Sequence, residues 1–218
     1  MADVHLIETP THGRVLVDRP SVSPTAVLVG CHGYAQTAEI LLDELLMIRG
    51  DAPWTLVSVQ ALHRFYTKGD RDVVASWMTR QDRDTAIADN IAYLDRVFDH
   101  LDLPSGAVRP PVCVLGFSQG VAMAYRAALR GAHAVAGLIA VGGDVPPDVQ
   151  DVPAARWPRV LIAAGDTDYW YTPDKVAADA TFLASHAVRH EILRYPAGHV
   201  FTDEVRAAAR GFVTAAQL

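Results

Sequence analysis

The segment that decides the fold is Val112-Cys113-Val114-Leu115-Gly116-Phe117-Ser118-Gln119-Gly120-Val121-Ala122-Met123-Ala124-Tyr125. Its first four residues are an apolar run typical of a buried strand, and its last five have the small and apolar character of a packed helix. A side chain at Gly116 or Gly120 would clash with the neighbouring strand and helix, so the glycines allow a sharp turn at Ser118. The pattern predicts a nucleophile elbow, which holds a serine hydroxyl above the sheet in a strained backbone conformation. The alternative is a glycine-rich connection with an ordinary exposed serine.

Length and composition limit the classes of protein that the chain can represent. With 218 residues, half of them apolar and a fifth charged, the sequence suits one globular α/β domain over residues 1–218. A net charge of −6 argues against a nucleic-acid surface, because neutralising phosphates needs clustered Lys and Arg. No segment approaches the about 20 apolar residues that span a bilayer, and the first residues do not resemble an export signal. We therefore expect a cytoplasmic protein without integral membrane association.

Strand and helix patterns alternate along the chain. Near-continuous apolar strands between amphipathic helices predict a mostly parallel central sheet with helices on both faces. Val4 to Thr9 and Arg14 to Val17 are predicted to form an N-terminal β-hairpin. Gln60 to Gln81 has no clean period, and an irregular segment of this length is usually functional or disordered. No insertion is large enough to be a lid domain.

Polar residues follow three of the predicted strands in a chemically meaningful order. Ser118, Asp168 and His199 each come just past a strand, in the chain order of α/β-hydrolases. A serine hydroxyl needs a base that removes its proton during attack, and the imidazole of His199 can take that proton and return it to the leaving group. Asp168 would fix the imidazole tautomer and stabilise the imidazolium. Asp166 competes for the role of the acid, and either carboxylate could instead cap a helix or bond to its loop.

An oxyanion formed by such an attack needs pre-aimed hydrogen-bond donors. The elbow geometry supplies the backbone N–H of Gln119, and the N–H of Tyr34, after His32-Gly33, is the best second candidate. The sequence has no nucleotide-binding glycine motif and no spacing typical of metal ligands, so we predict no cofactor and no metal. The two cysteines, Cys31 and Cys113, lie in apolar runs and are expected to be buried.

These residues resemble the carboxylesterase/phospholipase family of α/β-hydrolases, which includes the acyl-protein thioesterases. The matching segments extend over most of the chain, and the Phe before and Gln after the serine are the most specific. They are Leu28 to Gly33, Ser76-Trp77-Met78, Gly116 to Ala124, Gly165 to Asp168, and Gly198-His199. The resemblance implies Ser118 as nucleophile, Asp168 rather than Asp166 as acid, and His199 as base, with Tyr34 and Gln119 as oxyanion donors. It also implies an esterase or thioesterase without cofactor.

The chain departs from the family pattern at two places. Val121 stands where a further glycine is usual, and Tyr169 to Thr172 lengthen the segment between the acid and Pro173. The loop around His199 is equally similar to that of dienelactone hydrolases, although those use cysteine where this chain has Ser118.

Aromatic residues are concentrated in the loops that should surround the site. We expect them, with Tyr34, to form a pocket for an acyl or aryl group of a small ester or thioester. They are Phe65, Tyr66, Trp77, Tyr169, Trp170 and Tyr171. The resulting hypothesis is a serine hydrolase that acts through an acyl-enzyme on Ser118. The alternatives are a non-catalytic binding protein of the same fold and, among enzymes, a lysophospholipase or a dienelactone-hydrolase-like lactonase.

Overall fold

A seven-stranded sheet forms the centre of the protein in this computed structural model, which describes residues 2–67, 69, 72–101 and 109–216. The strands in these ranges, in chain order, are β1 (Arg14–Asp18), β2 (Ala26–Cys31), β3 (Trp54–Gln60), β4 (His63–Tyr66), β5 (Val73–Ser76), β6 (Val112–Phe117), β7 (Gly137–Val141), β8 (Arg159–Gly165) and β9 (His190–Tyr195).

The strand order of the sheet is β1-β3-β2-β6-β7-β8-β9. Every neighbouring pair is parallel except β1 and β3, which are antiparallel. All residues of β2, β3 and β7 are buried, which explains why they read as continuous apolar runs rather than as alternating patterns. The chain order reverses between β2 and β6, and ligands of open α/β sheets bind at such a reversal. The predicted, mostly parallel sheet is confirmed.

Helices cover both faces of the sheet. They are α1 (Ala38–Arg49), α2 (Arg83–His100), α3 (Gln119–Arg130), α4 (Pro173–Ser185) and α5 (Asp203–Ala215). Apolar residues of α1 and α5 share one core cluster, and those of α2, α3 and α4 pack on the other face. Among the described residues, no helix combines the length and apolarity that crossing a bilayer needs.

The predicted N-terminal hairpin is wrong. Residues 4–9 form no strand, and Arg14–Asp18 pairs with β3 instead. The apolar side chains that suggested a strand find no buried face to cover, since Val4, Leu6 and Ile7 are exposed. Alternation alone does not stabilise a strand whose apolar side stays in water.

The segment over residues 60–81 is more regular than predicted. Strands β4 and β5 pair with each other as a separate antiparallel ribbon, with His63 opposite Ser76. Strand β4 could not be predicted from its polar and aromatic sequence. Most of its side chains are exposed, so it needs no alternating apolar face. Residues 68, 70 and 71 of the segment lie outside the described ranges.

Candidate active site

The turn between β6 and α3 has the geometry that the sequence predicts for the elbow. Ser118 has φ +53° and ψ −120°, in the region that non-glycine residues rarely adopt. A Cβ on Gly116 would lie 2.5 Å from the carbonyl oxygen of Gly120, and one on Gly120 would lie 2.0 Å from that of Cys31. The two glycines therefore let the strand, the turn and the neighbouring β2 approach each other, and Ser118 stands half-buried at the apex.

Asp168 and His199 are brought together from the ends of β8 and β9. Oδ2 of Asp168 lies 2.7 Å from Nδ1 of His199, and the aspartate side chain is fully buried. The other oxygen, Oδ1, accepts backbone N–H bonds from Trp170 at 2.8 Å and Tyr171 at 3.0 Å. The carboxylate is thus held in one orientation, with one oxygen available to the imidazole.

The pKa of Asp168 lies below its usual value despite this burial. Loss of solvation by itself would raise the pKa, but the hydrogen bond from His199 and those from the N–H groups of Tyr171 and Trp170 outweigh it. The carboxylate is therefore ionised at neutral pH and can stabilise a positive imidazolium.

The second imidazole nitrogen of His199 is not engaged by Asp168. Nε2 of His199 is buried and has no hydrogen-bond partner among the described residues, so no bond to Ser118 is formed in this state. The imidazole packs against the ring of Phe117, with 5.0 Å between ring centroids, next to the elbow serine. In enzymes without substrate, hydrogen bonds between a nucleophile and its base are often long and tighten only when substrate binds.

Asp166, the rival acid, lies in a different environment. Its carboxylate accepts hydrogen bonds from Nε and Nη2 of Arg194 at 2.9 and 2.7 Å, at the exposed surface. It is engaged in a surface ion pair, whereas the carboxylate of Asp168 faces the imidazole of His199.

Two backbone N–H groups near Ser118 are available to a ligand. Gln119 is the first residue of α3, so its N–H has no acceptor within the helix. The N–H of Tyr34 donates to no protein acceptor among the described residues. A Cβ on Gly33, just before Tyr34, would lie 3.3 Å from Cβ of Ser118, so this loop passes directly beside the elbow.

His32 orders the loop that carries Tyr34. Its Nε2 accepts the N–H of Ala61 at 3.1 Å, which leaves the ring proton on Nδ1 to donate to the carbonyl of Gly33 at 2.7 Å. Burial lowers the pKa of His32, so the ring is neutral and keeps this pattern of one donor and one acceptor. The residue acts on the loop and does not face the cleft.

The side chain of Gln119 connects the elbow to the segment before α2, a role that no pattern in the sequence predicts. Its Oε1 accepts the N–H of Trp77 at 2.9 Å, and its Nε2 donates to the carbonyl of Met78 at 3.0 Å. Trp77 in turn donates from Nε1 to the carbonyl of His32 at 2.7 Å. An amide can donate and accept at once, and this bridge needs both.

A cleft of about 410 Å³ opens on one side of Ser118. It has both charged and apolar walls, formed by residues from the loops after β5, β6, β7 and β8. The lining residues are Met78, Thr79, Arg80, Arg83, Ser118, Gln119, Ala122, Gly142, Gly143, Asp144, Trp170 and Lys175. Gly142 to Asp144, after β7, were not predicted; their position at a strand end was the available signal.

Of the aromatic residues predicted for the pocket, Trp170 lines this cleft. Trp77 and Tyr171 do not, because both are buried inside the protein. Their polar atoms are also engaged there, since Trp77 donates to His32 and the Tyr171 hydroxyl donates to Asp179. These two side chains support the loops around the site.

The other predicted aromatic residues lie at the surface. Tyr34 and Phe65 are in contact, with 5.6 Å between ring centroids. Tyr66 on β4 and Tyr169 after β8 are exposed, the latter by 88%. None of the four lines the cleft beside Ser118.

The described residues contain no group of three or more His, Cys, Asp or Glu side chains that could hold a metal ion. The groups that lie near Ser118 are its own hydroxyl, an imidazole with a buried carboxylate, and free backbone N–H donors. This set suits acyl transfer to serine.

Comparison with known proteins agrees with this reading of the fold. The profile of the dienelactone hydrolase family matches residues 63–217, more than half of the chain. No curated protein matches it in sequence. Esterase PE8 is 22% identical, with a TM-score of 0.72 over 93% of this chain and 97% of that one.

Two further solved structures are similar. The acyl-protein thioesterase 2 of Zea mays is 17% identical, with a TM-score of 0.75 over 95% of this chain and 100% of that one. The carboxylesterase of Bacillus cereus is 16% identical, with a TM-score of 0.70 over 94% of each chain. At these identities the likeness shows the α/β-hydrolase fold, as the sequence predicted.

Proposed function

This chain belongs to the dienelactone hydrolase family of α/β-hydrolases, and we propose that it cleaves carboxylic esters or thioesters through an acyl-enzyme on Ser118. The observation that carries the proposal is the pair of buried Asp168 and half-buried His199 beside a strained serine at a strand-to-helix turn. A binding protein of the same fold would not need an aspartate that two backbone N–H donors hold toward a histidine with a free Nε2.

The proposed reaction has two halves. Nε2 of His199 takes the hydroxyl proton as Ser118 attacks the ester carbonyl, and the same proton then goes to the leaving alcohol or thiol. Water repeats these steps on the acyl-enzyme and releases the acid. Asp168 stays ionised throughout and holds the imidazole with Nδ1 as the donor. The N–H groups of Gln119 and Tyr34 stabilise the oxyanion in both halves.

Hydrolysis of p-nitrophenyl acetate by the wild type and by Ser118→Ala tests the proposal. Loss of the nucleophile should lower kcat/KM by roughly 10⁴-fold to 10⁶-fold if serine, histidine and aspartate act as a unit. Ser185→Ala, an exposed serine on α4, is the matched control and should keep wild-type rates. Equal rates for wild type and Ser118→Ala would refute the mechanism, and a fluorophosphonate adduct on Ser118 would support it independently.

The charge of the cleft favours an ester that carries an anionic group. Arg80 and Arg83 line the cleft, and neither has a carboxylate partner among the described residues. The third cation of the cleft, Lys175, is paired with Asp144, 3.2 Å away. Two unpaired guanidinium groups attract a carboxylate or phosphate and do not favour a long acyl chain.

Two esters with acyl groups of four carbons separate charge from size. We expect the hemisuccinate of p-nitrophenol to have a higher kcat/KM than the butyrate in the wild type. In Arg80→Gln or Arg83→Gln this preference should fall by about twofold to fivefold, the size of an exposed ion pair. Arg189→Gln is the control for net charge, because Arg189 lies just before the amino end of β9, whereas the candidate site lies at the carboxyl ends of the strands. A preference for butyrate, or one that all three variants leave unchanged, would contradict an anionic substrate.

A lactone is a second candidate substrate, and the family match favours it. A lactone is a cyclic ester, so the same attack by Ser118 opens the ring and the alcohol formed stays attached to the acyl-enzyme. Water then releases a single hydroxy acid. Dihydrocoumarin hydrolysis by wild type and Ser118→Ala distinguishes this candidate from an enzyme restricted to open-chain esters.

A further inference from the structure

We propose that Asp179 is a positioning residue that joins the two loops around the Asp168–His199 pair and thereby sets the catalytic geometry. This inference rests on the proposed function, since it assigns Asp179 a part in the same reaction. The residue lies on α4, is buried, and does not line the cleft.

One carboxylate oxygen of Asp179 holds both loops. Its Oδ2 accepts the N–H of Val145 at 3.1 Å, at the end of the loop after β7. The same atom accepts the hydroxyl of Tyr171 at 2.9 Å, in the loop after β8. Because a single acceptor serves both donors, the separation between the loops is fixed at this point.

Each loop also touches the catalytic pair directly. The N–H of Tyr171 donates to Oδ1 of Asp168 at 3.0 Å. Tyr171 thus connects the two carboxylates, because its hydroxyl bonds to Asp179 and its backbone bonds to Asp168. In the other loop, a Cβ on Gly142 would lie 3.0 Å from Cε1 of His199 and 3.4 Å from Oδ2 of Asp168. Movement of either loop would therefore change the alignment of carboxylate and imidazole.

Asp179 is an unfavourable residue for stability alone. Burial raises its pKa to about 6, and Asp144 acts in the same direction, while the hydrogen bonds from Tyr171 and Val145 and the charge of Lys175 oppose the shift. Tyr125 of α3 faces the same region, and its buried hydroxyl has no partner among the described residues. A buried carboxylate that costs stability is more typical of a functional site than of a packing position.

The test compares three variants by steady-state kinetics and by the low-field proton NMR signal of the His199 Nδ1–H, which reports the bond to Asp168. Asp179→Ala should lower kcat by about 10-fold to 100-fold with little change in KM, because the misplaced pair acts on the transition state and not on binding. Asp179→Asn keeps an acceptor of the same shape and should retain most of kcat. Asp174→Asn, exposed on the same helix, is the control.

Tyr171→Phe removes one of the two hydrogen bonds to Asp179. It provides a second test in case Asp179→Ala does not fold. We expect it to lower kcat by a smaller factor, and both variants should shift or broaden the Nδ1–H signal. A folded Asp179→Ala or Tyr171→Phe protein with wild-type kcat and an unchanged signal would overturn the inference. If the wild type has no serine-dependent esterase activity, the proposed function fails, while the NMR signal still tests whether Asp179 aligns the pair.

Discussion

Oδ2 of Asp168 lies 2.7 Å from Nδ1 of His199, and the carboxylate is completely enclosed by protein. Two residues earlier, Asp166 makes an ion pair with Arg194 at the surface. The chain thus presents two carboxylates of the same type, two positions apart, in opposite environments. Asp166 therefore serves as a matched control for Asp168 in tests of the proposed Ser-His-Asp mechanism.

Asp168→Asn should lower kcat/KM for p-nitrophenyl acetate by about 10⁴-fold, because an amide cannot stabilise the imidazolium and can favour the wrong tautomer. Asp166→Asn should stay within about twofold, since it removes only an exposed ion pair. Steady-state rates of the two purified variants at neutral pH check the prediction. Similar losses in both would mean that Asp168 has no special role.

Variants of Trp77 and Trp170 distinguish a side chain that supports the loops from one that contacts the substrate. Trp77→Phe leaves the carbonyl of His32 without its donor and should cost about 1–3 kcal/mol in the free energy of unfolding, with KM unchanged. Trp170→Ala, in the cleft wall and 73% exposed, should raise KM for aryl esters and change stability by less than about 0.5 kcal/mol. Urea unfolding and KM measured on both variants decide the matter. A raised KM in Trp77→Phe would mean that Trp77 contacts the substrate, as its sequence context predicts.

The sequence predicts those parts of the site that depend on local constraints. Ser118 stands between two glycines that only a tight turn requires, and Asp168 and His199 follow recognisable strands, so their positions at one edge of the sheet follow from the topology. The distance between them depends on the register of β8 against β9, where Gly165 pairs with Tyr195. That register has no local signal in the sequence.

Features that depend on contacts between distant segments could not be predicted. The aromatic character of Trp77 and Tyr171 suggested a pocket, but whether an aromatic ring faces a cleft or the core depends on its neighbours in space. Asp179 reads as one polar residue on an amphipathic helix, and only the fold shows that it meets Val145 and Tyr171. The prediction of an N-terminal hairpin was wrong for the same reason, since burial of Val4, Leu6 and Ile7 depends on distant segments and all three are exposed.

The steric need for glycine at the elbow can be tested by comparing Gly120 with a glycine that has space for a side chain. Gly120→Ala would place a methyl group 2.0 Å from the carbonyl oxygen of Cys31, which neither backbone can avoid. We expect a loss of about 3 kcal/mol or more in the free energy of unfolding, or no soluble protein. Gly211→Ala on α5 has nothing within 4 Å of the new Cβ and should gain about 0.5–1 kcal/mol from helix propensity. Equal stability of the two variants by urea unfolding would show that the turn tolerates a side chain.

The ionisation of Asp179 predicts a pH-dependent difference in stability between the wild type and Asp179→Asn. Its pKa rises from an ordinary value of 3.8 to about 6 on folding, chiefly through burial. The folded state therefore binds the proton of Asp179 more tightly than the unfolded state does. The contribution of this proton to the stability of the wild type is complete below the pKa of the unfolded chain, and it is lost as pH rises through about 6. Asparagine does not titrate, and Asp179→Asn should gain stability relative to the wild type between about pH 4.5 and about pH 7.5. Melting temperatures at both pH values measure the gain, at about 2–4 °C for each kcal/mol. Asp174→Asn should show no such trend, and a difference between wild type and Asp179→Asn that is the same at both pH values would mean that Asp179 keeps its charge at no cost.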